Sequence, residues 1–434
     1  MTKIIIGGGI AGIAAALEFE SKGQQYILLE RNSYLGGHCS SYTFENCVFD
    51  EGPHISFTKH EKLKNILWRD SDNYIEDPQI LNYWEGYWVP HPVITNLVFL
   101  PMVLRIRVIL SFFMRPRFGK VVNYKDWNNR KFGKFYSDNF VQKYTKKYWT
   151  VDSKEMSVDW VERRIYSPKL HEILKGAFFK GKRMKKKHQH YVQQFVYPQK
   201  NGFQEFVHRL VEKMKNSDSI NFNAEVKFID YREKQIHLAD GRYLTYDSLI
   251  STIPTPKLIN ALRLDPENSV QISSNLLRAT SLTLVDLIYD FEPLVNFHWS
   301  YIYDEKYLST RIHLPYKLSP NSCPPGLFSM QIEIYSDVSA LSEQDLIDRI
   351  VLEVNSLGIS DRSPIRSQVK RIEYANVIFD HNQKLVNSEI LPFLENLGVH
   401  TAGRFGNWDY SWSDDAYLSG ADAAIQIMMK EGNA

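Results

Sequence analysis

The chain opens on an apolar stretch, Ile4–Ile6, that runs straight into Gly7-Gly8-Gly9. A continuous apolar run ending in glycines predicts a buried strand and a tight turn. Ile10–Lys22 follows, rich in alanine and leucine, and Gly23 stops it as a helix. Gln25–Leu29 is a second strand that closes at Glu30. Glu61–Arg69 predicts a short helix, residues 84–92 an aromatic, proline-bearing turn, and residues 100–190 mainly helices. Within that block Val93–Met114 is strongly apolar, but Asn96, Pro101, Arg105 and Arg107 interrupt it. A spanning helix needs about 20 mostly apolar residues, and arginines in its middle are costly. The segment therefore predicts a buried or amphipathic helix, with a place on a membrane surface as the second reading. From 220 to 251 the pattern changes to β alternation, over 220–222, 226–231, 235–238, 243–244 and 248–251. Further strands are expected at Leu282–Tyr289 and Leu327–Ile334, and helices at 342–356 and 415–430. Strand-rich blocks on both sides of a helical block imply that the chain leaves a first domain and returns to it.

Composition sets limits on this picture. A chain of 434 residues, 44% hydrophobic, makes two or three domains with a large core. A net charge of +2 gives no general attraction for nucleic acid. Cys39, Cys47 and Cys323 form no disulfide framework, which points to a reducing cytoplasm. The start lacks the h-region and cleavage site of a signal peptide. Lys175, Lys180, Lys182, Arg183, Lys185, Lys186 and Lys187 form a basic run. It reads as a solvated loop or helix end, and alternatively as a lip attracting a phosphate-bearing substrate or anionic lipid. No metal site is expected, since His188 and His190 have no acidic or thiolate neighbours.

Gly7-Gly8-Gly9-Ile10-Ala11-Gly12 is a GxGxxG motif set between strand and helix. Gly7 permits the turn, Gly9 lets backbone N–H groups reach a pyrophosphate, and Gly12 lets helix and strand pack closely. Glu30, at the end of the second strand, is placed to accept hydrogen bonds from ribose hydroxyls. The extension Arg31-Asn32-Ser33-Tyr34-Leu35-Gly36-Gly37-His38 adds a glycine pair with backbone access to further phosphate, which favours FAD over NAD.

This extended segment resembles the fingerprint of the flavin amine oxidase, protoporphyrinogen oxidase and UDP-galactopyranose mutase superfamily. Three other places agree. Asn223-Ala224-Glu225-Val226 resembles the strand whose valine backbone meets the adenine. Tyr246–Pro254 resembles the returning Rossmann strand, and Thr401-Ala402-Gly403-Arg404-Phe405-Gly406 the C-terminal flavin motif. The resemblance implies cofactor contacts from Gly7, Gly9, Gly12, Glu30, Arg31, Gly36, Gly37, His38, Val226, Gly403, Arg404, Tyr410 and Asp415. No cysteine lies near Gly403, so the FAD is expected to be non-covalent.

On the substrate side the sequence is most similar to UDP-galactopyranose mutase-like proteins. Phe49–Ile55 resembles the mutase segment over the flavin, with His54 at its centre. Trp149 and Arg163 resemble the residues that hold the nucleotide and its phosphates, Arg311 a diphosphate-binding arginine, and Arg404 with Tyr410 the pair that grips the same diphosphate. Arginine suits this role because its planar fork stays charged and binds phosphate bidentately. The resemblance thus implies substrate contacts from Trp149, Arg163, Arg311, Arg404 and Tyr410, with His54, Arg311 and Tyr410 at the reacting centre. Two positions depart from the mutase pattern: Phe57 replaces a second histidine, and Asn201-Gly202 replaces a glycine pair.

The expectation is an α/β protein: a Rossmann-type, glutathione-reductase-like FAD-binding domain from 1–85, 195–270 and 390–434. A substrate-binding domain of helices and sheet would come from 86–194 and 271–389. The implied function is an FAD-dependent oxidoreductase or mutase-like isomerase acting on a nucleotide-linked sugar in surface-polysaccharide synthesis. The alternative is an amine-oxidase or protoporphyrinogen-oxidase-like dehydrogenase on a non-nucleotide substrate. The expected place is the cytoplasm, with peripheral contact at the inner face of the membrane as an extension of that reading.

Overall fold

The computed structural model describes residues 1–68, 72–161, 165–180, 194–264 and 274–432. Lys3–Ile6 and Tyr26–Leu29 are parallel strands joined through the helix Ile10–Ser21, as the apolar pattern requires. They sit in a five-stranded parallel sheet ordered 399–401, 248–251, 3–6, 26–29, 220–221. Strands from three distant stretches meet there, and the central ones are apolar and buried on both faces, as the inner strands of parallel sheets are. Ile4, Ile5, Leu28, Leu249 and Ile250 are wholly buried.

Small residues set how closely the helices approach. A Cβ on Gly12 would fall 1.9 Å from the carbonyl oxygen of Gly7, so only glycine lets the helix lie against the turn. A Cβ on Gly420 of the helix Ser413–Lys430 would fall 2.0 Å from the carbonyl oxygen of Ala11. The C-terminal helix is thereby locked against the first one.

The second sheet has seven strands, ordered 366–377, 279–289, 328–334, 311–313, 299–302, 80–84, 87–90. One expectation is corrected in this sheet. Residues 84–92 are not a simple turn: Ile80–Trp84 and Tyr87–Pro90 form a hairpin that turns at Glu85 and Gly86, both at positive φ. Ile80–Trp84 also pairs in parallel with Trp299–Ile302, so this strand belongs to the second sheet.

The helical block contains the helices Met102–Phe113, Tyr124–Phe132, Gln142–Trp149 and Leu170–Phe178. The helix of the Val93–Met114 stretch covers only Met102–Phe113, after two short turns, and one apolar side of it is exposed rather than buried. The cysteines also depart from expectation, because a disulfide joins Cys47 to Cys323 across 276 residues while Cys39 stays free, so the cysteines no longer argue for a reducing cytoplasm. Nothing local in the sequence links those two positions. Of the basic run, Lys175 and Lys180 are described; Lys182, Arg183 and Lys185–Lys187, with His188 and His190, lie outside the described residues.

Candidate functional site

A cavity of about 750 Å³ opens at the carboxyl ends of the five-stranded sheet. Gly7 follows the strand Lys3–Ile6, Glu30 follows Tyr26–Leu29, and Thr252 follows Ser248–Ser251. Ala224 lies three residues beyond Ile220–Asn221 and Gly403 two beyond Val399–Thr401. All five line the cavity. This is where open α/β sheets bind ligands.

The near wall is backbone. Gly7 takes φ +99°, and a Cβ there would meet Thr252 Oγ1 at 2.4 Å. Gly9, at the N-terminus of Ile10–Ser21, differs: a Cβ would meet no protein atom within 4 Å. Its glycine identity is therefore not demanded by protein packing, and the open space beside a helix N-terminus suits a pyrophosphate. Gly36 donates its N–H to the Gly8 carbonyl at 2.8 Å, and a Cβ on Gly37 would lie 3.3 Å from Gly9 Cα. The two glycine segments thus close on each other around that space.

Glu30 does more than the sequence suggests. Its carboxylate accepts the Gly8 N–H at 2.7 Å and the Asn32 N–H at 2.8 Å, one on each oxygen. It clasps the first glycine loop to the second strand. Each oxygen keeps a further lone pair for a ribose hydroxyl.

The segment after Asp50 forms the floor. Glu51 accepts a hydrogen bond from His38 Nδ1 at 3.1 Å and pairs with Lys370 Nζ at 2.9 Å. Burial pushes this carboxyl up, but those two partners outweigh it and bring it down to about 2. Burial pushes His54 down to about 4, so its ring is neutral near pH 7. Nδ1 lies 2.8 Å from the Gly52 carbonyl, which fixes the proton on Nδ1 and leaves Nε2 with a lone pair. Cys39 also lines the cavity; burial pushes its thiol up to about 12, so it is no nucleophile. Phe57, at the place of the second mutase histidine, packs edge-on to Trp412 at 4.8 Å.

The far wall comes from the seven-stranded sheet and is rich in aromatic side chains, among them Tyr148, Trp299, Tyr301 and Tyr335. Arg311 lies here, but not as a free cation. Its Nε and Nη2 donate to the two oxygens of Glu333 at 2.8 and 2.5 Å, and Glu333 is fully buried. Strand pairing of Arg311 opposite Glu333 makes the contact. Arg404 is placed differently. Its guanidinium lies 5.2 Å from the Tyr410 ring, and among the described residues it has no carboxylate partner.

Of the residues singled out by sequence, Gly7, Gly9, Glu30, Arg31, Gly36, Gly37, His38, His54, Val226, Arg311, Gly403, Arg404 and Tyr410 share this cavity. Three do not line it. Gly12 serves packing. Trp149 is core, set among Tyr148, Trp160, Phe379 and Tyr410 at ring distances of 5.1 to 6.1 Å, because its helix turns inward. Asp415 accepts the Trp412 N–H at 3.0 Å and caps the last helix. Arg163 lies outside the described residues. Sequence reasoning missed Lys370, Glu333, Tyr301 and Tyr335, which carry no local motif; Glu51 and Tyr148 lay within singled-out segments without being assigned a role.

Residues 5–69 match the model of the NAD(P)-binding Rossmann-like domain, and residues 105–428 that of the flavin containing amine oxidoreductase. A crystal structure of reduced UDP-galactopyranose mutase is similar with a TM-score of 0.91. Its identity is 22%, over 99% of this chain and 96% of that one. A putative protoporphyrinogen oxidase from Exiguobacterium sp. 255-15 is similar with a TM-score of 0.76 and 16% identity, over 99% of both chains. The 4,4'-diaponeurosporene oxygenase of Staphylococcus aureus is 30% identical over 92 residues, 20% of this chain and 18% of that protein's length.

Proposed function

The chain belongs to the family of flavin-containing amine oxidoreductases, and from that premise we propose an FAD-dependent enzyme that acts on a nucleotide-linked sugar. Its cofactor is FAD, held without a covalent bond. In this reading the Gly7–Gly9 turn and the following helix N-terminus hold the pyrophosphate, Glu30 the ribose, and the Val226 backbone the adenine. Gly36, Gly37, Arg31 and His38 hold the remaining phosphate and ribityl chain, and Gly403 with Arg404 approaches the ring system. When bound, the flavin supplies electron transfer to or from a substrate carbon.

The chain's own residues position and balance charge. Arg404, unpaired among the described residues and lying over Tyr410 in the flavin cavity, is the observation that carries the reading. A cation left without a carboxylate in a partly enclosed site favours an anionic ligand, and a diphosphate fits its fork. Neutral His54 offers Nε2 as a proton acceptor toward a substrate hydroxyl. The mutase fold supports this assignment. The FAD-binding part is assigned to 1–85, 195–270 and 390–434, and 86–194 with 271–389 to substrate. The reaction is redox or mutase-like rearrangement serving surface-polysaccharide synthesis, in the cytoplasm at the inner face of the membrane.

A second reading, amine oxidation, draws on the Arg311–Glu333 pair, which removes one cation from the cavity and leaves it less hostile to an amine. Thermal shift of the yellow protein with UDP, other nucleoside diphosphates and simple amines separates the two. UDP should raise the midpoint, and Arg404→Ala should abolish the rise. Flavin reduction by an amine, with no nucleotide response, would give the second reading the lead.

A further inference from the structure

The helix Met102–Phe113 buries only Val108, Ser111 and Phe112. Its remaining large apolar side chains include Met102, Val103, Ile106, Leu110 and Phe113, all exposed. At 100° per residue these five fall within an arc of about 100°, a single face of the helix. Beyond the helix the chain adds Met114 and Phe118. Arg105 ties this element to the end of the helix Leu170–Phe178, donating to the carbonyls of Leu100 at 2.6 Å, Val98 at 2.8 Å and Ala177 at 3.1 Å. Phe178 and Phe179 beside Ala177 are exposed as well. Ile106 is 46%, Leu110 52%, Phe179 67% and Phe118 90% exposed, values that core or ordinary surface positions of these types do not show together. A grouped apolar surface of this kind marks an interaction site.

Charge decides the partner. From Gly86 to Lys125 the sequence has no Asp or Glu, while it has Arg105, Arg107, Arg115, Arg117, Lys120 and Lys125. Arg107 stands at the border of the apolar arc, and Arg117, Lys120, Lys175 and Lys180 are exposed around it. The flanking acids are committed to backbone: Asp126 accepts the Val122 N–H at 3.2 Å and Glu172 the Lys169 N–H at 2.9 Å. A second copy seated on this face would bring uncompensated positive charge against itself. An anionic bilayer supplies both complements, acyl chains for the apolar arc and phosphate headgroups for the rim. Among the described residues no helix is long and apolar enough to cross a membrane, so the helix would lie in the surface plane.

We propose that Met102–Phe118, with Phe178 and Phe179, is the face by which the protein seats itself on an anionic lipid bilayer. The inference deepens the membrane placement made above and does not depend on which substrate the cavity takes.

The test is co-sedimentation of the FAD-loaded full chain with vesicles of phosphatidylcholine, with and without phosphatidylglycerol. The chain should bind the phosphatidylglycerol vesicles and release as salt rises, because the headgroup attraction is screened. Arg107→Glu and Arg117→Glu should each weaken binding by roughly fivefold or more. Ile106→Glu with Leu110→Glu should abolish it, while flavin content and thermal midpoint stay as in the parent. These positions are exposed, and that control shows the variants fold. No vesicle binding, or equal binding to both vesicle types, overturns the proposal. So does concentration-dependent dimerisation that Ile106→Glu abolishes without any vesicle binding, which makes the face a contact between copies. The UDP-induced thermal shift, read on the same samples, reports on the substrate reading separately.

Discussion

Replacing Glu30 tests whether the carboxylate is a cofactor ligand only or also the clasp of the nucleotide loop. The sequence motif gives it one job, accepting ribose hydroxyls, and a residue with that job alone can be lost without cost to the fold. The structure gives it a second job, through the Gly8 and Asn32 N–H groups at 2.7 and 2.8 Å. Hydrogen bonds to a charged acceptor contribute about 1.5–3 kcal/mol each. Glu30→Ala then removes about 3–6 kcal/mol, a large share of the roughly 5–15 kcal/mol by which folded domains are stable. Glu30→Gln is the sharper change. An amide has one acceptor oxygen and one donor NH2, so one of the two backbone N–H groups faces a donor. That leaves a buried group unsatisfied, at about 1–3 kcal/mol. The measurement is the thermal midpoint of flavin-stripped protein beside FAD affinity from flavin fluorescence. Both variants should melt below the parent without any flavin, with Ala lower than Gln, and both should bind FAD more weakly. A flavin-free Glu30→Gln that melts with the parent would refute the clasp and return Glu30 to the single role.

Gly9→Ala and Gly12→Ala should part company. The first meets no protein atom and should fold but lose its yellow colour, whereas the second drives a Cβ to 1.9 Å from the Gly7 carbonyl and should fail to accumulate as folded protein; a yellow, stable Gly9→Ala would count against the pyrophosphate site. His54 is depressed to about 4 in the folded state, below the 6.5 of an exposed ring, so the folded state binds fewer protons than the unfolded one. Stability from this group is full above 6.5 and is lost as pH falls toward 4, and His54→Asn should flatten that part of the curve of melting midpoint against pH; an unchanged slope would show that His54 titrates normally. Glu333→Gln keeps the shape and one acceptor but frees the Arg311 charge. Nucleotide-diphosphate affinity in isothermal calorimetry should rise if Arg311 reaches the ligand, and an unchanged affinity would leave Arg311 a structural residue.

The fold was readable because its cofactor half is built from local signals. A strand, three glycines, an alanine-rich helix and a second strand ending in an acid lie within thirty residues, and each choice agrees with the next. The strands at 226–230, 235–238 and 248–251 were equally plain in alternation. What failed was assignment to a sheet. Ile80–Trp84 has the same apolar character whichever sheet it joins, and only its parallel pairing with Trp299–Ile302 decides. The Cys47–Cys323 link is illegible for the same reason, since the two positions are neighbours only after the chain has folded.

The site divides along the same line, and the division has a chemical consequence. Residues that bind through backbone, such as Gly9 and Gly37, announce themselves by type, because glycine is needed where a group must come close. Residues that bind through charge do not, because a charge matters only with its partner. Arg311 was legible as an arginine, yet its meaning changed once Glu333 arrived opposite it on the next strand. With Arg311 balanced by Glu333 and Lys370 by Glu51, the cavity is less cationic than its arginines and lysine suggest by themselves. Unlike Arg311 and Lys370, Arg404 keeps a charge with no carboxylate partner among the described residues, as the exposed Arg31 does, and it sits in the flavin motif itself. An anion held there is consequently held against the cofactor, and Arg311 can add to its grip only by releasing a buried carboxylate. Breaking a buried pair in that way typically costs about 3–5 kcal/mol, and an anion taken up by Arg311 still leaves the buried Glu333 carboxylate without its partner. The Arg311–Glu333 pair is therefore a charge-balanced part of the wall, and Glu333→Gln is the change that asks whether Arg311 can also reach an anion.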